Sequence, residues 1–348
     1  MINLCDCKSD GFCRRYNRDM GGRLREICAG VNTDLGTAAA FREQWSREAG
    51  LQEASGPPIP LLLKTDQAPG DAVAMTAAVY SLHAAHPGKY ITAVESLWPE
   101  VFAHNPDVKC TDKTHVVQMH YPAIHKSNER GIHFMQSWCE FLGSALGINV
   151  PLLTNRPRLY FKNTPPAVEG YWLVCSGGKN DFTTKLWGHD RYQEVVSSLR
   201  GKVRFIQVGA AKDDHKHLDG AEDVVGKTSL RELFDLARCA CGILCGVSLL
   251  MHVAAALEKP AVIVAGGREP VAWNAYPKQR YLHTVGALDC RDRIGQRGGA
   301  CWRYRTFPLG DETVLDKDTC EYPDGVTPKC MSIISPKYVA ETILQMGG

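Results

Sequence analysis

The chain has 348 residues, 44% hydrophobic and 22% charged, with a formal net charge of +2. That length predicts about two domains, each burying its own core, and the near-neutral balance gives no general electrostatic case for a nucleic-acid partner. No apolar run reaches the roughly 18 residues of a membrane span, and "MINLCDCKSDGFCRRYNRDM" lacks the apolar core of a signal peptide, so a cytoplasmic location is expected.

Residues 1–58 open with a Cys- and Arg-rich segment carrying Cys5, Cys7, Cys13 and Cys28, and 45–58 reads as a linker. From Ile59 short apolar strands alternate with helices: "IPLLLKT", a Gly-containing turn, a helix from Asp71 to His86, then "KYITAVE". Asp71 opens that helix, where an Asp ordinarily caps free amides. At the edge of a cleft the same carboxylate would be placed to take a proton from an attacking hydroxyl. "MHYPAIHKSNERGIHF" gathers His120, Tyr121, His125, Asn128, Arg130 and His133, either an acceptor pocket or a polar loop.

After the connection "NRPRLYFKNTPPAVEG" the alternation returns in "YWLVCSG", "VRFIQVG", "CGILCGV" and "AVIVAGG". Such alternation predicts parallel sheets with helices on both faces. Ser229 and Glu232 match a capping box, with Leu230, Leu233, Phe234 and Ala237 following at helical spacing. Ser176 and Gly177 lie in a Gly-rich turn whose amides suit phosphate oxygens, and Lys185 adds a compact positive charge. An ordinary strand-to-helix loop with surface lysines explains the same residues. The turn at 246–252 brings Ser248, Met251 and His252 to the start of a further helix, although a histidine there is as readily a core residue.

Residues 285–335 are rich in Gly, Pro and charge and hold Cys290, Cys301, Cys320 and Cys330, before a final helix from Pro336 to Met346. Four thiolates would clamp such a segment around a tetrahedral ion; free thiols in a reducing compartment are the alternative for both cysteine sets. Cys175, Cys239, Cys241 and Cys245 fall in strand or helix patterns and read as small core residues.

"LLLKTDQAPGDAVAMTAAVYSL", "SGGK…TTKLW" and "GKTSLRELFDLARCACGILCGVSLLMHVAAALEKPAVIV", in this order, resemble glycosyltransferase family 9, the heptosyltransferase-like enzymes of GT-B architecture. The resemblance covers about residues 59–284. It implies an α/β fold of two Rossmann-like doubly wound domains facing a cleft, 59–165 on the acceptor side and 166–284 binding the nucleotide sugar, with cysteine-rich segments at 1–58 and 285–348. It carries the proposed base onto Asp71 after Gly70, the Thr-Lys-x-Trp element onto Thr184, Lys185 and Trp187, and the helix-start residues onto Ser248, Met251 and His252. Asp213 or Asp214 would meet the ribose. Some relatives hold iron on four C-terminal cysteines, which look similar in placement to Cys290, Cys301, Cys320 and Cys330. Structural iron or zinc is therefore expected, with no catalytic metal. The N-terminal cysteines form a second candidate set.

The implied activity is sugar transfer from a nucleotide-diphosphate donor to a protein or saccharide hydroxyl. One departure bears on the donor. Family members commonly carry Asp-Ser/Thr-Gly where this chain has Val247-Ser248-Leu249, so a heptose does not carry over. A modified DNA base as acceptor, and a non-catalytic nucleotide-binding relative, are the alternatives; the modest charge disfavours DNA. A homo-oligomer is compatible with the sequence.

Overall fold

In the computed structural model, residues 56–110, 115–121, 123–124, 127, 129–163, 167–290, 299–306 and 319–347 are described. The first unit runs β1 (Ile59–Thr65), α1 (Pro69–Ala85), β2 (Tyr90–Ser96), α2 (Pro99–Phe102), β3 (His115–Gln118) and α3 (Phe134–Leu146). Its strands form a parallel sheet in the order β2-β1-β3. The second runs β4 (Tyr171–Cys175), α4 (His189–Ser198), β5 (Arg204–Gln207), β6 (Ala221–Asp223), α5 (Leu230–Cys239), β7 (Gly242–Gly246), α6 (Leu249–Ala256), β8 (Ala261–Gly266), α7 (Val271–Asn274) and β9 (Gln279–His283). These six strands are parallel, in the order β6-β5-β4-β7-β8-β9. A hairpin of β10 (Pro323–Asp324) and β11 (Thr327–Pro328) leads to α8 (Lys329–Ser332) and α9 (Pro336–Gln345).

Strand alternation builds the second unit. Tyr171 and Leu173 of β4, Ile243 and Cys245 of β7, and Ala261 and Ile263 of β8 point into one core. Trp172, Val174, Leu244, Val262 and Val264 point into the other, where Val339 and Ile343 of α9 cover them. Both faces are thus dry, as a parallel sheet requires. The predicted capping box is present: Ser229 Oγ accepts from the Glu232 amide, and the Glu232 carboxylate accepts from the Ser229 amide.

Chain order reverses between β4 and β7, since β5 and β6 extend the sheet one way and β8 and β9 the other. Ligands of open α/β sheets bind at such a switch point, beyond the strand C-terminal ends. The first core also runs through α1 and α3 of the other unit without a break. Helices α1 and α6 pack directly on each other, so the two units meet along a dry helical seam.

Helix α1 begins earlier than Asp71. Pro69 occupies its first turn, where a fixed φ and a missing amide cost nothing. Gly70 therefore lies inside the helix rather than in a turn before it. A Cβ there would come within 3.1 Å of His252 Cδ2 and 3.3 Å of Leu249 Cα, so glycine permits the close crossing of α1 and α6. Among the described residues, no helix is long and apolar enough to cross a membrane.

Candidate active site

The crossing brings the N-termini of α1 and α6 together. Asp71 is the third residue of α1, not its cap; its carboxylate reaches back to the Ala68 amide and accepts the Tyr121 hydroxyl at 3.0 Å. Burial raises the Asp71 carboxyl above its ordinary value, and the Tyr121 bond and the Lys185 charge offset this only in part. Burial and the Asp71 carboxylate together push the Tyr121 phenol up as well, which keeps its proton available to donate. Tyr121, assigned to the acceptor on sequence, is thus the residue that orients the candidate base. His120 is exposed and stacks on Tyr121 at 5.5 Å. His125 and Asn128 lie outside the described residues, as do Cys5, Cys7, Cys13 and Cys28.

Opposite Asp71, Ser248 caps α6 in extended geometry without a side-chain bond to the helix. Its Oγ is buried beside the Cys245 thiol, to which it can donate. Helix-start amides favour an anion. Met251 is fully buried in the first core. His252 is held by Tyr276, its Nδ1 2.8 Å from the phenol oxygen, and burial lowers its imidazole to about 3, so the ring is neutral.

Lys185 ends a single 3-10 turn, Thr183–Lys185, and its Nζ lies 2.7 Å from Glu269 Oε1. Burial lowers the lysine, with Glu269 opposing and Arg268 adding to the shift. Burial alone would raise Glu269; the Lys185 and Arg268 charges outweigh it and bring the carboxyl below its usual range. Arg268 and Asn274 also hydrogen-bond to Glu269. Sequence reading missed Glu269 and Arg268. The signal was a charged pair directly after the apolar strand "AVIVAGG", at the C-terminal end of a parallel strand.

Other predicted residues have more structural surroundings. Thr184 is buried, and its hydroxyl donates to the Arg303 carbonyl at 2.5 Å. Trp187 is a core residue whose indole donates to the Ile334 carbonyl. Ser176 Oγ accepts from Gln207. At Gly177 an added Cβ would fall 1.8 Å from the Asp214 carbonyl oxygen, so this glycine admits the 213–215 loop over the strand end. Asp213 lies in the same loop, and its charge helps to raise the Cys175 thiol, although burial is the larger cause.

Cys290, Cys301, Cys320 and Cys330 line one cavity of about 20 Å³, together with Thr184 and Arg268. None of the four is in a disulfide. Burial pushes their thiols up, that of Cys330 to about 12, and the four raise one another. Among the described residues, no group of three or more Cys, His, Asp or Glu is arranged to hold a metal ion.

The profile of glycosyltransferase family 9 (heptosyltransferase) matches residues 111–294, more than half of the chain. Among solved structures, the fold is similar to the iron-containing dodecameric glycosyltransferase TibC from enterotoxigenic E. coli H10407, at 17% identity and a TM-score of 0.60 over 83% of this chain and 76% of that one. The same enzyme in complex with ADP-D-β-D-heptose matches at 18% and 0.58, over 85% and 77%. E. coli ADP-heptose LPS heptosyltransferase II matches at 15% and 0.52, over 83% and 98%. No curated protein matches the chain.

Proposed function

The chain belongs to glycosyltransferase family 9, and from that premise we propose that it moves a sugar from a nucleoside-diphosphate donor to a hydroxyl of a protein or saccharide, with Asp71 as the base. Residues 59–165 then carry the acceptor and 166–284 the donor. The observation that carries this reading is the meeting of a buried carboxylate on α1 with the N-terminus of α6 across their crossing. The Asp71 carboxylate accepts the acceptor's proton as its oxygen attacks the anomeric carbon and the bond to the diphosphate breaks. A raised pKa makes Asp71 a stronger base than an exposed carboxylate. Charge growing on the departing diphosphate is met by Lys185, the α6 amides and Ser248 Oγ, all fixed before reaction begins. The complex of TibC with ADP-D-β-D-heptose supports a nucleotide-sugar donor. The test is a panel of nucleotide sugars screened by thermal shift, since a bound donor stabilises the native state. A panel in which none shifts the melting of the intact protein contradicts the reading.

The thiol chemistry of Cys290, Cys301, Cys320 and Cys330 suits a structural ion, and all four line one small cavity, although their described positions are not gathered as a ligand set. Zinc and iron both suit an all-thiolate set, and four protein ligands leave no open position for catalysis. The ion would add restraint to a segment rich in Gly, Pro and charge. TibC, described as iron-containing, supports this assignment. Purified protein should contain about one ion per set, and Cys320→Ser should release it. Rapid thiol titration of all four cysteines in stable, metal-free, active protein would exclude it.

A further inference from the structure

Residues 301–306 form a strap between the cysteine cluster and the turn that carries Lys185. Its backbone is pinned from below, with the Cys301 amide donating to the Gly267 carbonyl and the Trp302 amide to that of Arg268, both at 3.2 Å. On its other side the Thr184 amide donates to the Tyr304 carbonyl at 3.1 Å, and the Thr184 hydroxyl to that of Arg303. Arg268 Nε donates to the same Arg303 carbonyl at 2.8 Å. One strap carbonyl thus receives both the residue preceding Lys185 and the residue preceding its counter-ion, Glu269. The Arg268 guanidinium lies 5.1 Å from the ring centres of Trp302 and Tyr304 and 5.5 Å from that of Phe182. Trp302 adopts a positive φ of 52°, a conformation a bulky residue keeps only where its surroundings over-determine it. The far end of the strap is tied by the Cys320 amide to the Arg305 carbonyl at 2.6 Å.

We propose that Thr184 and Arg268 are positioning residues through which the cysteine-anchored strap holds Lys185 where it meets the donor diphosphate. The strap carries no group to the ligand. It sets where the lysine turn and the Glu269 carboxylate stand, while backbone bonds to Gly267, Arg268 and Cys320, and the Arg303 amide donating to the Cys301 thiol, set where the strap stands. This inference rests on Lys185 contacting the diphosphate, as argued above.

The experiment is isothermal titration of the full-length protein with ADP, GDP, UDP and CDP, using whichever binds tightest thereafter. Thr184→Val is expected to weaken that affinity about tenfold, and Thr184→Ser, which keeps the hydroxyl, to restore most of it. Arg268→Lys, which keeps the charge but loses the Nε bond, should show a similar loss if Thr184→Val fails to fold. Cys301→Ser should match the Thr184→Val defect, and the double variant should be no weaker than the weaker single, because both act through one strap. Donor KM should rise in each variant while acceptor KM holds. Fully additive losses would mean that Thr184 touches the nucleotide directly, and unchanged affinity in Thr184→Val would remove its role; either overturns the inference while leaving the donor reading standing. Wild-type protein that binds none of the four diphosphates refutes that reading, and this inference with it.

Discussion

Strands β4, β7 and β8 bury both faces of their sheet, whereas the 301–306 strap beside them buries one large apolar side chain, Trp302, and is otherwise held by single hydrogen bonds to carbonyls. The two lie against the same lysine turn. In the sheet, cohesion is spread over many apolar contacts, none decisive for chemistry. In the strap, Trp302 apart, it is concentrated in a few directional bonds around Thr184, Arg268 and Arg303. Damage to the first should therefore register as lost stability, and damage to the second as lost ligand affinity in a folded protein.

The sharpest break of that contrast is Trp172→Ala in β4. Trp172 is fully buried in the second core, and its loss should cost about 3–5 kcal/mol, read as a lower urea midpoint. A cost below 1 kcal/mol would mean the sheet does not hold the fold together. Next is Lys185→Ala, which should weaken nucleoside-diphosphate binding by about 1–3 kcal/mol through the lost charge-assisted bond. Unchanged titration would detach the lysine from the donor.

Smaller again is the response to acid. Burial lowers His133 to about 4 and His252 to about 3, against 6.5 for an ordinary imidazole. Below pH 6.5 the unfolded chain binds protons that these rings refuse, so folding stability falls with pH through that window. Each ring should contribute about 1–2 kcal/mol of loss by pH 5. Asp71 runs the other way, because its raised carboxyl is protonated more readily in the folded chain. Denaturant melts of His252→Gln between pH 7 and 5 should show a shallower slope than wild type; an equal slope would mean the ring is charged in the fold.

Legibility followed the same division. "IPLLLKT", the Ser229 capping box and the β4, β7 and β8 strands could be read directly, because short apolar runs between helices and capping by side-chain oxygens are local patterns. The start of α1 was misplaced, since Gly70 looked like a turn until its contact with Leu249, from the other unit, was visible. Asp71 and Lys185 were legible as a helix-start carboxylate and a loop cation, but their proposed roles came from the family resemblance, since spacing along the chain could not choose them. Glu269 and the strap were missed because their roles are fixed by carbonyls and charges distant in sequence: Thr184 and Arg303 are 119 positions apart. Tyr121 was noticed as part of a polar cluster, and its tie to the candidate base was not legible. Its hydroxyl belongs to Asp71, 50 positions earlier.

The central claim is that the carboxylate at the α1–α6 crossing is the base, and Asp71→Asn tests it most directly. The amide keeps the shape of the side chain and removes its basicity. Turnover and donor binding should be measured on the same preparation, with the nucleotide sugar identified by thermal shift. The account predicts a fall in turnover of orders of magnitude while donor affinity stays close to that of wild type. Near-normal turnover would contradict it and leave Asp71 with only its bonds to the Ala68 amide and the Tyr121 hydroxyl.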